Sequence, residues 1–326
     1  MIENEVFVLQ ISVIGCGRWG SFIAWYLNHI GHSVMLYGRQ ESAHMQAFVR
    51  TRSNGLLTLA PSIRLSTDLS QALDWSEWIV LSISVQNVRS FLQALPPHAL
   101  SGKTLLLCMK GLEASTGKRI TEIVEEECGP SLSTAIWVGP GHVQDFVQHR
   151  PNCMVIDSAD PSLTARLIPL LSSDLIRFYY GRDLIGNEIG AAAKNVVGIA
   201  AGMLDGLDYA SLKGALMSRG TREISRLIEA MGGRPQTAYG LSHLGDYQAT
   251  VFSPFSHNRM FGEAFARRQP YDALAEGYPT AQAMVVLSRR YGVELPICQA
   301  VYDVLYKNKS LPSVLSTLFL RSLKEE

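Results

Sequence analysis

The sequence predicts an α/β protein: a doubly wound, mostly parallel sheet in the first half and an all-α domain in the second. Strand and helix signals alternate from about residue 9 to residue 180. A glycine-rich turn, Gly15-Cys16-Gly17-Arg18-Trp19-Gly20, separates the first strand from the first helix. From Asn187 onward long helical periodicities, broken by glycines and prolines, replace the strand signal almost completely. At 326 residues the chain is too long for one ordinary core, so the change of pattern is read as a boundary between domains 1–181 and 182–326.

The first strand is the β-branched run Leu9-Gln10-Ile11-Ser12-Val13-Ile14, and Ser21 to Leu27 suits a helix packed on a sheet. Gly31 ends that helix and Ser33–Tyr37 forms the second strand. Ile79–Ile83, Thr104–Met109, Ala135–Val138, Asn152–Asp157 and Arg177–Tyr180 read as further strands, and Thr121–Cys128 as a helix ended by Gly129. Sheets of this kind bind ligands outside the carboxyl ends of their strands, where Gly15, Tyr37, Ser82, Lys110 and Gly139 fall. In the second half the predicted helices are Asn187–Leu204, Leu212–Met231, Asn258–Arg268, Pro279–Tyr291, Pro296–Lys307 and a last one near Leu311–Lys324.

Composition excludes several function classes. Formal net charge is zero, with no basic excess to attract nucleic acid and no basic amphipathic helix for a membrane surface. The apolar stretch Ile189–Leu204 is too short to span a bilayer and is interrupted by Lys194 and Asn195. Met1–Glu5 is acidic, unlike a signal peptide. The five cysteines include no C-x-x-C pair and read as reduced thiols of a cytoplasmic protein. His29 and His32, three apart on the predicted first helix, share a face but lack a third ligand, so no metal site is expected.

Strand, glycine turn and helix in that order form the context of a dinucleotide-binding turn. Gly15 lets the chain turn, Gly17 lets backbone approach a pyrophosphate, and Gly20 lets helix and strand pack closely. The pyrophosphate then sits on the helix N-terminus, where free N–H groups and the dipole favour negative charge. The second strand ends in Tyr37-Gly38-Arg39-Gln40, and the first acid, Glu41, comes late. An acid at this strand end would bond the ribose 2′-hydroxyl of NAD, whereas Arg39 suits a 2′-phosphate and favours NADP over NAD.

The second informative stretch, Gly186 to Gly202, is built from alanine, glycine and branched aliphatics around one lysine, Lys194. Glycine costs about 1 kcal/mol in a helix interior relative to alanine, so several together imply close packing or ligand approach. Asn187, Ala191, Lys194, Gly198 and Asp205 lie roughly on one face. A lysine in such surroundings has a lowered pKa and serves as a proton donor or acceptor near neutral pH. Further on, Gly245-Asp246 offers a carboxylate to hold Lys194, and Ser256-His257-Asn258 reads as a capped helix start able to take a phosphate or carboxylate.

Taken together these motifs resemble those of the bacterial-type NAD(P)-dependent glycerol-3-phosphate dehydrogenases, over nearly the whole chain. Gly15–Gly20 resembles the family's G-x-G-x-W-G, Met109-Lys110-Gly111-Leu112-Glu113 its S-K-G-[IL]-E, and Gly139-Pro140-Gly141-His142 its G-P-S-[FH]. Ala193-Lys194-Asn195-Val196 is similar to its L-K-N-[VI], Gly245-Asp246 with Thr250 to its G-D-L-x-x-T, and Pro279-Thr280-Ala281 and Leu295-Pro296-Ile297 also match. The resemblance implies a Rossmann domain with a helical domain of the 6-phosphogluconate-dehydrogenase type. It implies reversible reduction of dihydroxyacetone phosphate to sn-glycerol 3-phosphate for glycerophospholipid synthesis, by a cytoplasmic homodimer. Lys194 is then the general acid/base and Lys110 a second substrate cation, with Asp246 and Thr250 orienting them. Gly139, Gly141, Ser256, His257 and Asn258 would line the substrate. Arg18, Trp19, Lys110, Val143, His257 and Glu276 would border the cofactor beside Gly15, Gly17, Gly20 and Arg39.

The chain departs from the family pattern at several of these places. His257 stands where the family's S-R-N run has arginine, and imidazole lacks the planar two-pronged contact of a guanidinium. Arg259 or Arg18 would supply the missing charge. Gly141 replaces the serine of G-P-S, Ile83-Ser84-Val85-Gln86 lacks the proline of V-P-S-Q, and Tyr247-Gln248-Ala249 replaces L-I-L. Two other readings therefore stand beside the first: a dehydrogenase of the same fold with a different small hydroxy or keto substrate, and a nucleotide-binding sensor. Retention of Lys110, Lys194 and Asp246 argues against a sensor, which needs none of them.

Overall fold

The structure, a computed structural model, describes residues 8–320. Contacts divide the chain into two compact units, one running through Met109 and resuming over Thr121–Arg182, the other formed by Lys110–Ile120 and the chain from Asp183 onward. The acidic N-terminal residues Met1–Glu5 and the end of the last predicted helix, 321–324, lie outside the described residues.

The first unit holds one eight-stranded sheet. Its strands are β1 (Gln10–Ile14), β2 (Ser33–Tyr37), β3 (Arg64–Ser66), β4 (Trp78–Leu81), β5 (Thr104–Leu107), β6 (Ser133–Val138), β7 (Asn152–Ser158) and β8 (Ile176–Tyr180). They are ordered β3-β2-β1-β4-β5-β6-β7-β8, and all neighbours run parallel except β6 and β7. Helices α1 (Arg18–His29), α2 (Ala43–Thr51), α3 (Leu69–Asp74), α4 (Val88–Gln93), α5 (Ile120–Cys128), α6 (Val143–Val147) and α7 (Pro161–Leu171) connect them. Every residue of β5 is buried, which for side chains alternating between two faces means that both faces are covered. Strand order reverses between β1 and β4, so the crevice outside their carboxyl ends is the ligand position of such a sheet. Only β3 escapes the sequence reading: three residues with one buried side chain carry too little periodicity.

The predicted pairing of His29 with His32 is corrected. α1 stops at His29, and Gly31 turns the chain with φ +97° before His32. His29 stacks on Trp25, with ring centroids 5.2 Å apart. The His32 ring is buried; its Nδ1 accepts from Leu9 N at 3.3 Å and its Nε2 donates to Leu170 O at 2.9 Å.

The second unit contains α8 (Leu184–Gly206), α9 (Lys213–Ala230), α10 (His257–Ala266), α11 (Gly277–Tyr291), α12 (Pro296–Lys307) and α13 (Leu311–Phe319). α8 is buried along most of its length, starts on an Asp183 cap that accepts from Gly186 N at 3.1 Å, and forms the core of the unit. The question raised by its glycines is answered by packing. Cβ atoms on Gly202 or Gly262 would overlap the carbonyls of Arg259 and Ile199, so α8 and α10 approach with backbone against backbone. The segment Lys110–Ile120 joins this unit because Leu112 is fully buried in its core and Arg119 Nη1 donates to buried Glu188 Oε2 at 2.7 Å. Among the described residues no helix is long and apolar enough to cross a membrane.

Candidate active site

In the first unit the glycine turn lies at the sheet's switch point. Gly15 N donates to Tyr37 O at 3.0 Å and Ser82 N donates to Ile14 O at 2.9 Å, tying together the ends of β1, β2 and β4. Gly15 has φ +116°, and a Cβ there would overlap the Ser82 carbonyl. A Cβ on Gly20 would overlap the Gly15 carbonyl, so this glycine lets α1 sit directly on the turn. Gly17 differs: a Cβ there would meet nothing within 4 Å, and no side chain caps the start of α1. Open space before an uncapped helix N-terminus is what a pyrophosphate requires.

Other predicted cofactor residues gather at the same helix start. Arg18 Nη2 donates to Gln144 Oε1 at 2.7 Å, joining α1 to α6. Trp19 is half-buried against Phe22 and Phe146, with centroids 5.0 and 6.4 Å away. The Val143 side chain belongs to the core and stands in the first turn of α6. Gly139 and Gly141 have φ +127° and +152°. The missing serine at 141 has a steric reason: the Phe146 ring, stacked on Phe22 at 4.8 Å, occupies the space a Cβ would need. Arg39 is exposed at the end of β2 and pairs with Glu41 at 3.4 Å. Exposed pairs contribute little, so the guanidinium can be redirected to a 2′-phosphate at small cost.

In the second unit three charged side chains converge. Lys110 Nζ lies 2.7 Å and Lys194 Nζ 3.2 Å from the same oxygen, Asp246 Oδ2. Lys194 Nζ also donates to Thr250 Oγ1 at 2.8 Å, and that hydroxyl donates to Asp246 O at 2.8 Å. The Asp246 side chain is 1% exposed, and its Oδ1 is buried without a hydrogen-bond partner. Burial pushes the Lys194 pKa down to about 8; Asp246 opposes the fall and the Lys110 charge adds to it. The group is therefore an ammonium poised to lose its proton near neutral pH.

Local sequence builds this arrangement. Asp246 ends a 3-10 turn, Leu244–Asp246, and Thr250 lies in the π-helical turn Gln248–Phe252 that follows. Such single π turns are frequent at functional sites. Tyr247, one of the departures from the family pattern, is fully buried and donates to His243 Nε2 at 2.8 Å. His243 Nδ1 in turn donates to Gly190 O at 2.8 Å, and burial pushes the ring's pKa down to about 4, which keeps it neutral with Nε2 free to accept.

The predicted phosphate residues have other duties. Ser256 Oγ caps α10 by accepting from Arg259 N at 3.3 Å. Asn258 donates to Asn195 Oδ1 at 3.0 Å and accepts from Gly277 N at 2.8 Å. His257 Nδ1 is bonded to Tyr271 Oη at 2.6 Å. What the start of α10 offers an anion is its first N–H groups and the imidazole, with both neighbouring side chains acting as supports. Arg259 does not supply the missing charge: its guanidinium is held by Asp205 at 2.8 Å, Glu263 at 2.9 Å and Ser253 O at 3.0 Å. Glu276 stands at the start of α11, where its carbonyl accepts from Thr280 Oγ1 at 2.7 Å.

Sequence reasoning assigned no role to Asn195. Its Nδ2 donates to Lys110 O at 2.7 Å while its Oδ1 takes Asn258, so it ties the Lys110 segment to the start of α10. The available signal was its place directly after Lys194 in an otherwise apolar helix.

Comparisons with known proteins all point to one family. Residues 10–164 match the model for the NAD-dependent glycerol-3-phosphate dehydrogenase N-terminus, and residues 183–316 that for its C-terminus. The glycerol-3-phosphate dehydrogenase [NAD(P)+] of Bradyrhizobium sp. is 37% identical over 97% of this chain and 98% of its own length. One from Salinibacter ruber is 33% identical over 97% of each chain. In fold, the crystal structure of glycerol-3-phosphate dehydrogenase from Coxiella burnetii superposes with a TM-score of 0.89 at 24% identity, covering 96% of this chain and 99% of that one. With a dinucleotide turn in one unit, a buried lysine–carboxylate cluster in the other and full-length relatives of one kind, the chain belongs to the NAD(P)-dependent glycerol-3-phosphate dehydrogenase family.

Proposed function

We propose that the protein catalyses the reversible NAD(P)H-linked reduction of dihydroxyacetone phosphate to sn-glycerol 3-phosphate. The observation that carries this reading is the convergence of half-buried Lys110 and buried Lys194 on one oxygen of buried Asp246, where burial pushes the Lys194 pKa down to about 8. A nucleotide sensor has no use for a proton donor so tuned. Gly15, Gly17 and Gly20, with the first turns of α1 and α6, would hold the dinucleotide, and Arg39 would take a 2′-phosphate. The nicotinamide, when bound, supplies the hydride for the ketone carbon. Lys194 gives its proton to the oxygen as charge develops there, and Lys110 stabilises that charge. Asp246 keeps both ammonium groups in one small volume, and Thr250 fixes the direction of Lys194. Ser256, His257 and Asn258 form the helix start that takes the substrate phosphate, with Gly139 and Gly141 lining the substrate in the same reading. Trp19, Val143 and Glu276 border the cofactor.

The direct test is spectrophotometric oxidation of NADPH with dihydroxyacetone phosphate beside a panel of unphosphorylated ketones. Turnover confined to the phosphorylated ketone is expected; preference for another ketone would overturn the substrate assignment. Cofactor choice has its own test. Arg39→Ala is expected to weaken NADPH binding by about tenfold while hardly changing NADH binding, as for loss of a hydrogen-bonded charge pair at an exposed site. Equal losses in titrations with the two cofactors would remove Arg39 from 2′-phosphate recognition. We further assign the enzyme to the cytoplasm as a homodimer that supplies glycerophospholipid synthesis; sedimentation at enzyme concentrations typical of assays checks the dimer.

A further inference from the structure

The π-helical turn that carries Thr250 ends against Pro254, which has no N–H and prevents the helix from continuing. The last carbonyls of such a turn have no partner within it, and a buried carbonyl without a donor is costly. Here two side chains from other helices supply the donors. Lys213, itself buried at the start of α9, donates to Val251 O at 3.1 Å. Arg259, from α10, donates through Nε to Ser253 O at 3.0 Å. Both cations meet one carboxylate: Asp205, in the last turn of α8, lies 2.6 Å from Lys213 and 2.8 Å from Arg259. A buried lysine and a half-buried arginine can sit side by side only with such a counter-charge between them. Packing reinforces the arrangement, since a Cβ on Gly198 would lie 2.6 Å from Thr250 Cγ2.

We propose that Asp205 is a positioning residue for the reaction: through Lys213 and Arg259 it holds the Val251 and Ser253 carbonyls and so keeps the Thr250 hydroxyl on Lys194. The kinetic part of this inference rests on the function proposed above. Lys194 and Asp205 occupy the same helix, and the strap from Asp246 to Ser256 spans the distance between them. Release at its Asp205 end swings Thr250 away from the ammonium. The charged groups of the cluster are bonded to one another and to these two carbonyls, so its effect on the reaction is one of alignment.

A double-mutant cycle separates this role from plain support of the fold. Asp205→Asn is expected to lower kcat for dihydroxyacetone phosphate reduction by about 10- to 10²-fold, the usual cost of misplacing a reacting group. NADPH affinity should stay unchanged, and Asp205→Glu should recover part of the loss. In Thr250→Val, which already lacks the hydroxyl, Asp205→Asn should cost almost nothing more. Additive losses in the double variant, or an unchanged kcat in the single one, would overturn the proposal. If Asp205→Asn does not fold, Arg259→Lys enters the same cycle, because it keeps the charge and removes the Nε donor to Ser253. Should the wild-type protein fail to reduce dihydroxyacetone phosphate, the function reading falls by itself. The positioning claim is then read from the Lys194 Nζ resonance in lysine-labelled protein, which must shift in Asp205→Asn; an unmoved resonance would refute it.

Discussion

Lys194→Ala is expected to lower kcat for dihydroxyacetone phosphate reduction by about 10³-fold, within the range for loss of a positioned proton donor. The ammonium is buried and bonded to Asp246 and Thr250, with a pKa near 8, so no water can be expected to deliver a proton with the same alignment. NADPH affinity should hardly change, because the glycine turn that would receive the pyrophosphate is built entirely from the other unit. Nor should the fold collapse: Asp246 keeps Lys110 at 2.7 Å as a counter-charge. Steady-state kinetics with a fluorescence titration of NADPH make both measurements, and near-normal turnover would remove Lys194 from the mechanism.

Asp246→Asn should be nearly as damaging, and its signature lies in pH dependence. Burial lowers the Lys194 pKa, Lys110 lowers it further, and Asp246 is the group that resists. Without the carboxylate the pKa falls below its present value. At neutral pH less of Lys194 is then protonated, so reduction slows and its alkaline limb moves to lower pH. Acidification should restore part of the rate. Breaking a buried ion pair also costs about 3–5 kcal/mol of stability, of which Lys110 recovers a share because its side chain, 16% exposed, can turn toward water. Denaturant unfolding measures the loss. An unshifted alkaline limb in the variant would show that Asp246 does not govern Lys194.

Much of this was legible in sequence because the relevant signals are local. The glycine turn, the strands around it and the apolar helix with one lysine are short-range patterns, and the described α8, α11 and α12 lie close to their predicted bounds. Asp246 is legible as a partner for Lys194 from its carboxylate and its family-like Gly245-Asp246 motif, and the two side chains lie 3.2 Å apart. The Lys110–Ile120 segment was less legible: it interrupts an α/β pattern that resumes at α5, and nothing local says that Leu112 is buried among helices. The roles of Asn195, Asp205 and Lys213 depend on side chains brought together from distant segments. Arg259 misled for the same reason. As a cation beside a missing arginine it reads as a substitute, but two carboxylates from α8 and α10 had already claimed it. Ser256 and Asn258 show that residues beside an anion site can act through the backbone they hold.

Whether Lys194 donates the proton as an ammonium with a lowered pKa is read from the pH dependence of kcat/KM for dihydroxyacetone phosphate reduction, which reports groups of the free enzyme. The rate should be sustained on the acid side and decline as pH rises through about 8, as Lys194 loses its proton. The reverse reaction, which needs the neutral amine, should rise through the same pH. A forward rate that stays level well above that pH would show that Lys194 is not the proton donor.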